Sequence, residues 1–153
     1  MAQTSVRTQV WDFNKLSTVF GGVPIIDYAP DTGIETTDNS DKYSQTVSLT
    51  RGNVVYNQLN DGTGYVKLSI LANSPTHFGL YELYKDRLDG ANEGIAFEGV
   101  VVNTNNNTLS ESYQGCMIKT MPSPTKAREV ANVDIEIWYA ERIDYRDGAQ
   151  VNG

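Results

Sequence analysis

The segment Val133–Tyr139, VDIEIWY, constrains the fold more than any other part of this chain. Val133, Ile135, Ile137 and Tyr139 alternate with Asp134, Glu136 and Trp138. A two-residue period is that of a β-strand with one face on an apolar core and the other turned to water. Two further segments repeat the pattern. In 42–50, Tyr43, Gln45, Val47 and Leu49 alternate with Ser44, Thr46 and Ser48. In 65–72, Val66, Leu68 and Ile70 alternate with Tyr65, Lys67 and Ser69. Residues 94–103 and 109–120 read as two strands joined by the polar tip NTNNNT, and 18–28 as a strand interrupted by Gly21, Gly22 and Pro24. A proline inside a strand places it at an edge or a bulge.

One helix is predicted over about residues 75–89. Ser74 suits the N-cap, Pro75 the first helical position, and Gly90 the stop. Leu80, Tyr81, Tyr84 and Leu88 form its expected apolar stripe. The expected fold is therefore mainly β, a β-sandwich or barrel of two antiparallel sheets with one flanking α-helix. A length of 153 residues fits a single domain spanning 1–153. The segment 29–41, APDTGIETTDNSD, reads as a long polar loop, and a connection of that length suggests a contact role.

The chemistry the chain can host is narrow. A formal charge of −7 and no basic cluster argue against gripping nucleic acid, because that affinity comes from cations neutralising phosphates. Cys116 is the single cysteine and His77 the single histidine, so an internal disulfide and multi-cysteine or multi-histidine metal sites are excluded. Cys116 reads as a small buried hydrophobe and His77 as an exposed or capping residue of the helix's first turn. GTGYVK at 62–67 lacks the third glycine of a dinucleotide fingerprint and the ending of a P-loop, and reads as a turn. Asp38–Asp41 lacks the spacing of a calcium loop. Asn106-Asn107-Thr108 is a glycosylation sequon. No secretion signal and no apolar run long enough to cross a membrane are apparent.

Asp134 and Glu136 are the best candidates for catalysis. They lie about 6.6 Å apart along a strand, within the range used by paired carboxylates in glycosidases. Such a pair also needs a cleft and one raised pKa, and the sequence signals neither. An enzyme is therefore not expected, nor any cofactor or metal.

Two blocks carry a family resemblance. They are DGTGYVKLSILANSPTHFGLYELYKDR, residues 61–87, and MIKTMPSPTKAREVANVDIEIWYAERIDYRDG, residues 117–148. A Gly-rich turn, an apolar strand running into a Ser-started helix, a K-x-M-P turn, and an alternating last strand ending in acidic and Gly residues resemble the tail tube proteins of contractile-tailed bacteriophages. Tailocin tubes and the haemolysin-coregulated protein of type VI secretion are related. The resemblance spans about residues 18–148. It implies a structural virion protein, assembled in the bacterial host cytoplasm, whose homohexameric rings stack into a hollow conduit for DNA ejection. The implied partners are further copies of itself and the tail sheath, baseplate and tape-measure proteins, with no membrane; DNA would pass through the lumen without specific binding.

Within that frame Asp134, Glu136, Lys67, Ser69, Ser44, Thr46 and Ser48 are the expected lumen-facing residues. The two carboxylates would form part of an acidic wall that does not hold phosphates. The 29–41 loop, with Asp31, Glu35, Asp38 and Asp41, is the first expected ring-stacking element, and the 103–108 tip the second. A baseplate tube initiator, a tailocin tube and a secreted hexameric ring protein are the nearest alternatives. A monomeric carbohydrate-binding β-sandwich, stacking sugars on Tyr65 or Trp138, is the alternative of a different class.

Overall fold

The computed structural model describes residues 10–30, 33–105 and 108–146, and the backbone of 149–150. After a 3-10 turn at Phe13–Lys15 come β1 (Leu16–Phe20), β2 (Val23–Pro24), β3 (Ile34–Asp38), β4 (Tyr43–Val47), β5 (Val54–Gln58) and β6 (Gly64–Leu71). The helix α1 (Pro75–Asp89) follows, then β7 (Phe97–Asn103), β8 (Ser110–Thr120), β9 (Asn132–Tyr139), β10 (Glu141–Arg146) and β11 (Ala149–Gln150). All strand pairs are antiparallel.

Nine strands form one sheet, seven of them in a single path. Its first half runs β2-β1-β7-β8 and its second β8-β9-β6-β3, with β10 and β11 continuing beside the start of β8. The long strand β8 belongs to both halves: Ser110–Gln114 face β10, and Met117–Thr120 face β9. The two halves enclose one core. Val66, Leu68 and Ile70 of β6 and Val133, Ile135, Ile137 and Tyr139 of β9 supply one wall; Phe20, Phe97, Val101, Tyr113 and Cys116 supply the other. The alternation read in 65–72 and 133–139 is thus the true pleat of two neighbouring strands, and the mainly-β architecture with one helix is as expected. Packing of the Phe20 ring across β7 depends on Gly99, where a Cβ would overlap that ring.

The helix has the predicted bounds. Ser74 Oγ accepts the His77 amide at 3.1 Å and Pro75 opens the first turn. Its buried residues, however, are Thr76, Leu80 and Leu83, while Tyr81 and Leu88 are about half exposed. The helix lies against β2 with Gly79 facing Val23, and that tilt selects Leu83 over Tyr81. Thr76 Oγ1 donates to the Pro24 carbonyl and accepts the Ile26 amide, which ties the helix to the edge strand β2 that Pro24 marks.

Two expectations are overturned. Residues 29–41 are not a loop: Ile34–Asp38 form β3, paired with Leu68 to Gly64 of β6. Four polar or acidic residues in five hid a short edge strand whose inward positions are Ile34, Thr36 and Asp38. Residues 42–50, in turn, do not pack on the core. Strands β4 and β5 pair only with each other, and every residue from Tyr43 to Val47 and from Val54 to Gln58 is exposed. Alternation there reflects strand propensity without a core to bury it.

Candidate functional site

Two surfaces stand out: the polar face of the β3-β6-β9-β8 half, and the projecting β4–β5 hairpin. The polar face is built in rows by strand register. Thr37, Tyr65, Trp138 and Met117 form one row. Glu35 lies opposite Lys67, and Lys67 opposite Glu136. Beyond Glu136, β8 bulges, so that Lys119 and Thr120 together face it. Ser69 and Asp134 form the next row.

The structure therefore brings Asp134, Glu136, Lys67 and Ser69 onto one face, as the alternation predicts. Their chemistry is not that of an acidic wall. The ammonium of Lys119 is 3.3 Å from Glu136 Oε2 and 5.6 Å from the centre of the Trp138 ring. Trp138 Nε1 donates to the same carboxylate at 2.7 Å. That hydrogen bond, and then the Lys119 ammonium, hold the Glu136 carboxyl below its usual range. A general acid needs the opposite shift, which makes Glu136 unsuited to that half of a catalytic pair. Ser69 is buried beneath Asp134 and donates to its Oδ1 at 2.5 Å. The carboxylates are thus engaged with neighbours, and the face carries cations between them. Tyr65 and Trp138 lie opposite one another, but Trp138 is pinned by Glu136 and Lys119.

Ser44, Thr46 and Ser48 do not join this face. Ser44 and Thr46 lie on β4 and Ser48 begins the turn of the hairpin, which has no pairing to the nine-strand sheet. The arm exposes Tyr43, Val47, Leu49, Val54, Val55 and Tyr56, with Leu49 fully exposed at the turn. Its base is clamped. Asp61 accepts Ser40 Oγ at 2.6 Å and both the amide and hydroxyl of Thr63, and Lys42 Nζ donates to the Asp61 carbonyl at 2.9 Å. These hydrogen bonds, led by Ser40, hold the Asp61 carboxyl down at about 2.

The four acidic residues assigned to stacking are dispersed. Asp31 lies outside the described residues, as do Asn106 and Asn107 of the hairpin tip. Glu35 is on β3. Asp38 closes β3, accepting the Tyr139 hydroxyl at 2.6 Å and lying 3.4 Å from the Arg142 guanidinium. Asp41 is exposed in the link to β4. Arg142 also meets Asp144 at 3.4 Å. Beside this cluster a cavity of about 820 Å³ opens between β3 and β1, lined by Trp11, Phe13, Tyr28, Ile34, Glu111 and Tyr113 among others. Burial raises the Tyr113 hydroxyl pKa, and the adjacent Glu111 carboxylate, which accepts its proton, adds to the effect.

Cys116 lies in the core and His77 in the first turn of the helix, away from both surfaces. The thiol is fully buried, and burial followed by the Glu98 charge pushes it up to about 12. His77 contributes its backbone amide to the helix cap. Among the described residues, no group of three or more His, Cys, Asp or Glu side chains is placed to hold a metal ion. Among the described residues no helix is long and apolar enough to cross a membrane. Sequence reasoning missed the hairpin as a projecting element. Its one signal is that DGTG and Arg51-Gly52 place turns at both ends of a strand pair whose two faces include apolar residues.

No protein-family model matches the chain, and no curated protein matches it. Solved structures do. The sheath/tube terminator of an extracellular contractile injection system, PVC, in the extended state matches with a TM-score of 0.64 at 12% identity, covering 91% of this chain and 99% of the other. The tube-terminating cap of the anti-feeding prophage matches with a TM-score of 0.59 at 13% identity, covering 95% and 99%. The PVC sheath-tube complex in the extended state matches with a TM-score of 0.63 at 13% identity, covering 88% and 90%. This chain therefore has, over nearly its whole length, the fold found in the sheath–tube and tube-terminating assemblies of contractile injection systems.

Proposed function

We propose that this chain is a self-assembling component of the tube of a contractile tail or injection apparatus, whose copies close into rings that stack. The observation that carries this reading is the β4–β5 arm. It is a two-stranded ribbon with apolar side chains on both faces that none of the described residues of its own chain covers. An isolated hairpin is marginal in water, and exposed apolar surface of this kind marks an interaction site. An arm on one part of the surface that docks elsewhere on the next copy makes a head-to-tail contact, the kind that builds open stacks. The stacking role expected of 29–41 passes to 42–59.

The nine-strand sheet has two open ends in its polar half. The outer edge of β3 has no strand partner among the described residues, nor has the side of Met117–Thr120 in β8 that faces away from β9, because the pairing of β8 with β7 stops at Cys116. Open edges are hazards unless covered, and joining β3 of one copy to β8 of the next covers both. The polar face then becomes the lumen wall, with Asp134, Glu136, Lys67 and Lys119 on it. Three carboxylates, counting Glu35, against two ammonium groups leave a small acidic excess. A passing polyanion such as DNA meets no concentrated positive charge to hold it. Six copies per ring are expected, with sheath outside, and baseplate and tape-measure proteins as further partners.

A second reading, a tube-terminating cap, is favoured by the cover of 99% of the cap structure's chain. It differs in assembly: a cap stops at a defined stack, whereas a tube subunit grows without limit.

Replacing Leu49 and Val55 with Asp tests the reading. The expected outcome in electron microscopy is intact rings that fail to stack, from a chain with an unchanged circular dichroism spectrum. Stacks of unaltered length would sink the role given to the arm. A purified wild-type chain that remains monomeric at all concentrations would sink the ring.

A further inference from the structure

The charges on the polar face make a single row of alternating sign. Glu35 on β3 faces Lys67 on β6, which faces Glu136 on β9, which meets Lys119 on β8. The row begins with an anion on the edge strand β3 and ends with a cation on the stretch of β8 that, on its side away from β9, has no strand partner among the described residues. Both terminal groups are available: Glu35 is exposed, and half of the Lys119 side chain is. Lys119 is also held in place, by the Glu136 carboxylate and the Trp138 ring, so little side-chain freedom remains to be lost on pairing.

The strand count adds a directional constraint. Four strands in antiparallel succession leave β3 and β8 running in opposite senses. Rotation about an axis lying roughly along the strands preserves strand direction. Hence β3 of one copy meets β8 of the next antiparallel, and the sheet continues without a change of pairing type. A two-fold contact behaves differently. Pairing β3 with β3 brings Glu35 near its own equivalent, and pairing β8 with β8 brings two Lys119 together. Like charges side by side on adjacent strands are destabilising.

We propose that Glu35 of one copy pairs with Lys119 of the next, continuing the alternating row across every junction, and that this pair sets the strand register and selects head-to-tail over two-fold association. This inference rests on the ring reading above. Its physical role is discrimination. A register slip by one residue would turn the polar face inward. A slip by two keeps the faces but moves Glu35 off Lys119, which the loss of the pair penalises. Charge complementarity at an interface acts mainly through such rejection of wrong arrangements.

Glu35→Lys and Lys119→Glu, made singly in the full chain, test the proposal. In each variant alone, every junction opposes two like charges. The concentration needed for ring assembly, read by mass photometry at low salt, is expected to rise about tenfold or more. An equimolar mixture of the two restores every junction if copies alternate, so assembly is expected to return in the mixture. High salt should narrow the differences, because the pair is exposed. Variants that assemble like the unaltered chain, or a mixture no better than its components, would overturn the pairing. Should either variant melt early, Glu35→Cys combined with Lys119→Cys decides. Oxidation is expected to link copies into a covalent ladder, with buried Cys116 silent, and absence of the ladder in assembled rings counts against the proposal. An unaltered chain that never assembles overturns the ring reading and this inference together, whereas normal rings with indifferent variants overturn the pairing alone.

Discussion

At the residue scale, Glu136 shows how a face that looks acidic in one dimension becomes balanced in three. Its carboxylate accepts from Trp138 two positions along the strand and pairs with Lys119 on the adjacent strand. The folded-state pKa is lowered below the reference value of 4.5, with the Trp138 hydrogen bond the largest cause. A lowered carboxyl pKa means that the stabilisation is complete above the unfolded value. It is lost as pH falls through the folded value. Acidification below about pH 4.5 should therefore destabilise the chain through this group. Glu136→Gln should lose stability near neutrality, and the gap between the two proteins should close in acid. Urea titrations at a series of pH values measure this, and a gap independent of pH would refute the assignment. Cys116 and His77 show the other side of residue-scale reading: the buried-hydrophobe role of the cysteine was legible because it sat in an alternating run.

At the element scale, helix α1 was legible to the residue, because Ser74, Pro75 and Gly90 act locally on the backbone. Its buried stripe was not, since the tilt that chooses Leu83 over Tyr81 is set by contact with β2. The same contrast separates β6 and β9 from β4 and β5. All four alternate or carry β-branched residues, but pairing with the core sheet is a tertiary event. Strand β3 went unread because an edge strand with Glu35, Thr37 and Asp38 carries the composition of a turn.

The arm formed by β4 and β5 depends on its base. Asp61 holds both legs through Ser40 and Thr63. In Asp61→Ala, amide hydrogen exchange should speed up across 43–58 while β6 and β9 keep their protection. Unchanged exchange in the arm would show that the strand pairing alone suffices.

At the scale of the whole molecule, the chain divides into a sheet-and-helix body with one core and an arm that contributes nothing to it. None of the core side chains comes from residues 42–59. Replacing 43–58 with a short Gly-Ser link should therefore shift the melting temperature by less than about 2 °C, well under ~1 kcal/mol for a chain of this size. A larger loss would mean that the arm packs on the body. The same division supports the assembly reading: stability is settled within one copy, and the exposed arm and open sheet edges remain for other copies.

The sequence by itself determined what depends on local pattern: two core strands from a two-residue period, the helix from its cap and stop, the absence of multi-histidine or multi-cysteine sites from counting, and Asp134, Glu136, Lys67 and Ser69 on one face. Only the tertiary structure decided what depends on neighbours. Strand order set Lys119 beside Glu136 and turned an acidic wall into an alternating row. Register placed Glu35 on the edge strand β3 and Lys119 on the stretch of β8 that runs past its pairing with β7. The lack of a packing partner turned Tyr43–Gln58 from core into arm. Periodicity reports which side chains share a face, whereas which strands share an edge is settled by long-range pairing that no local window contains.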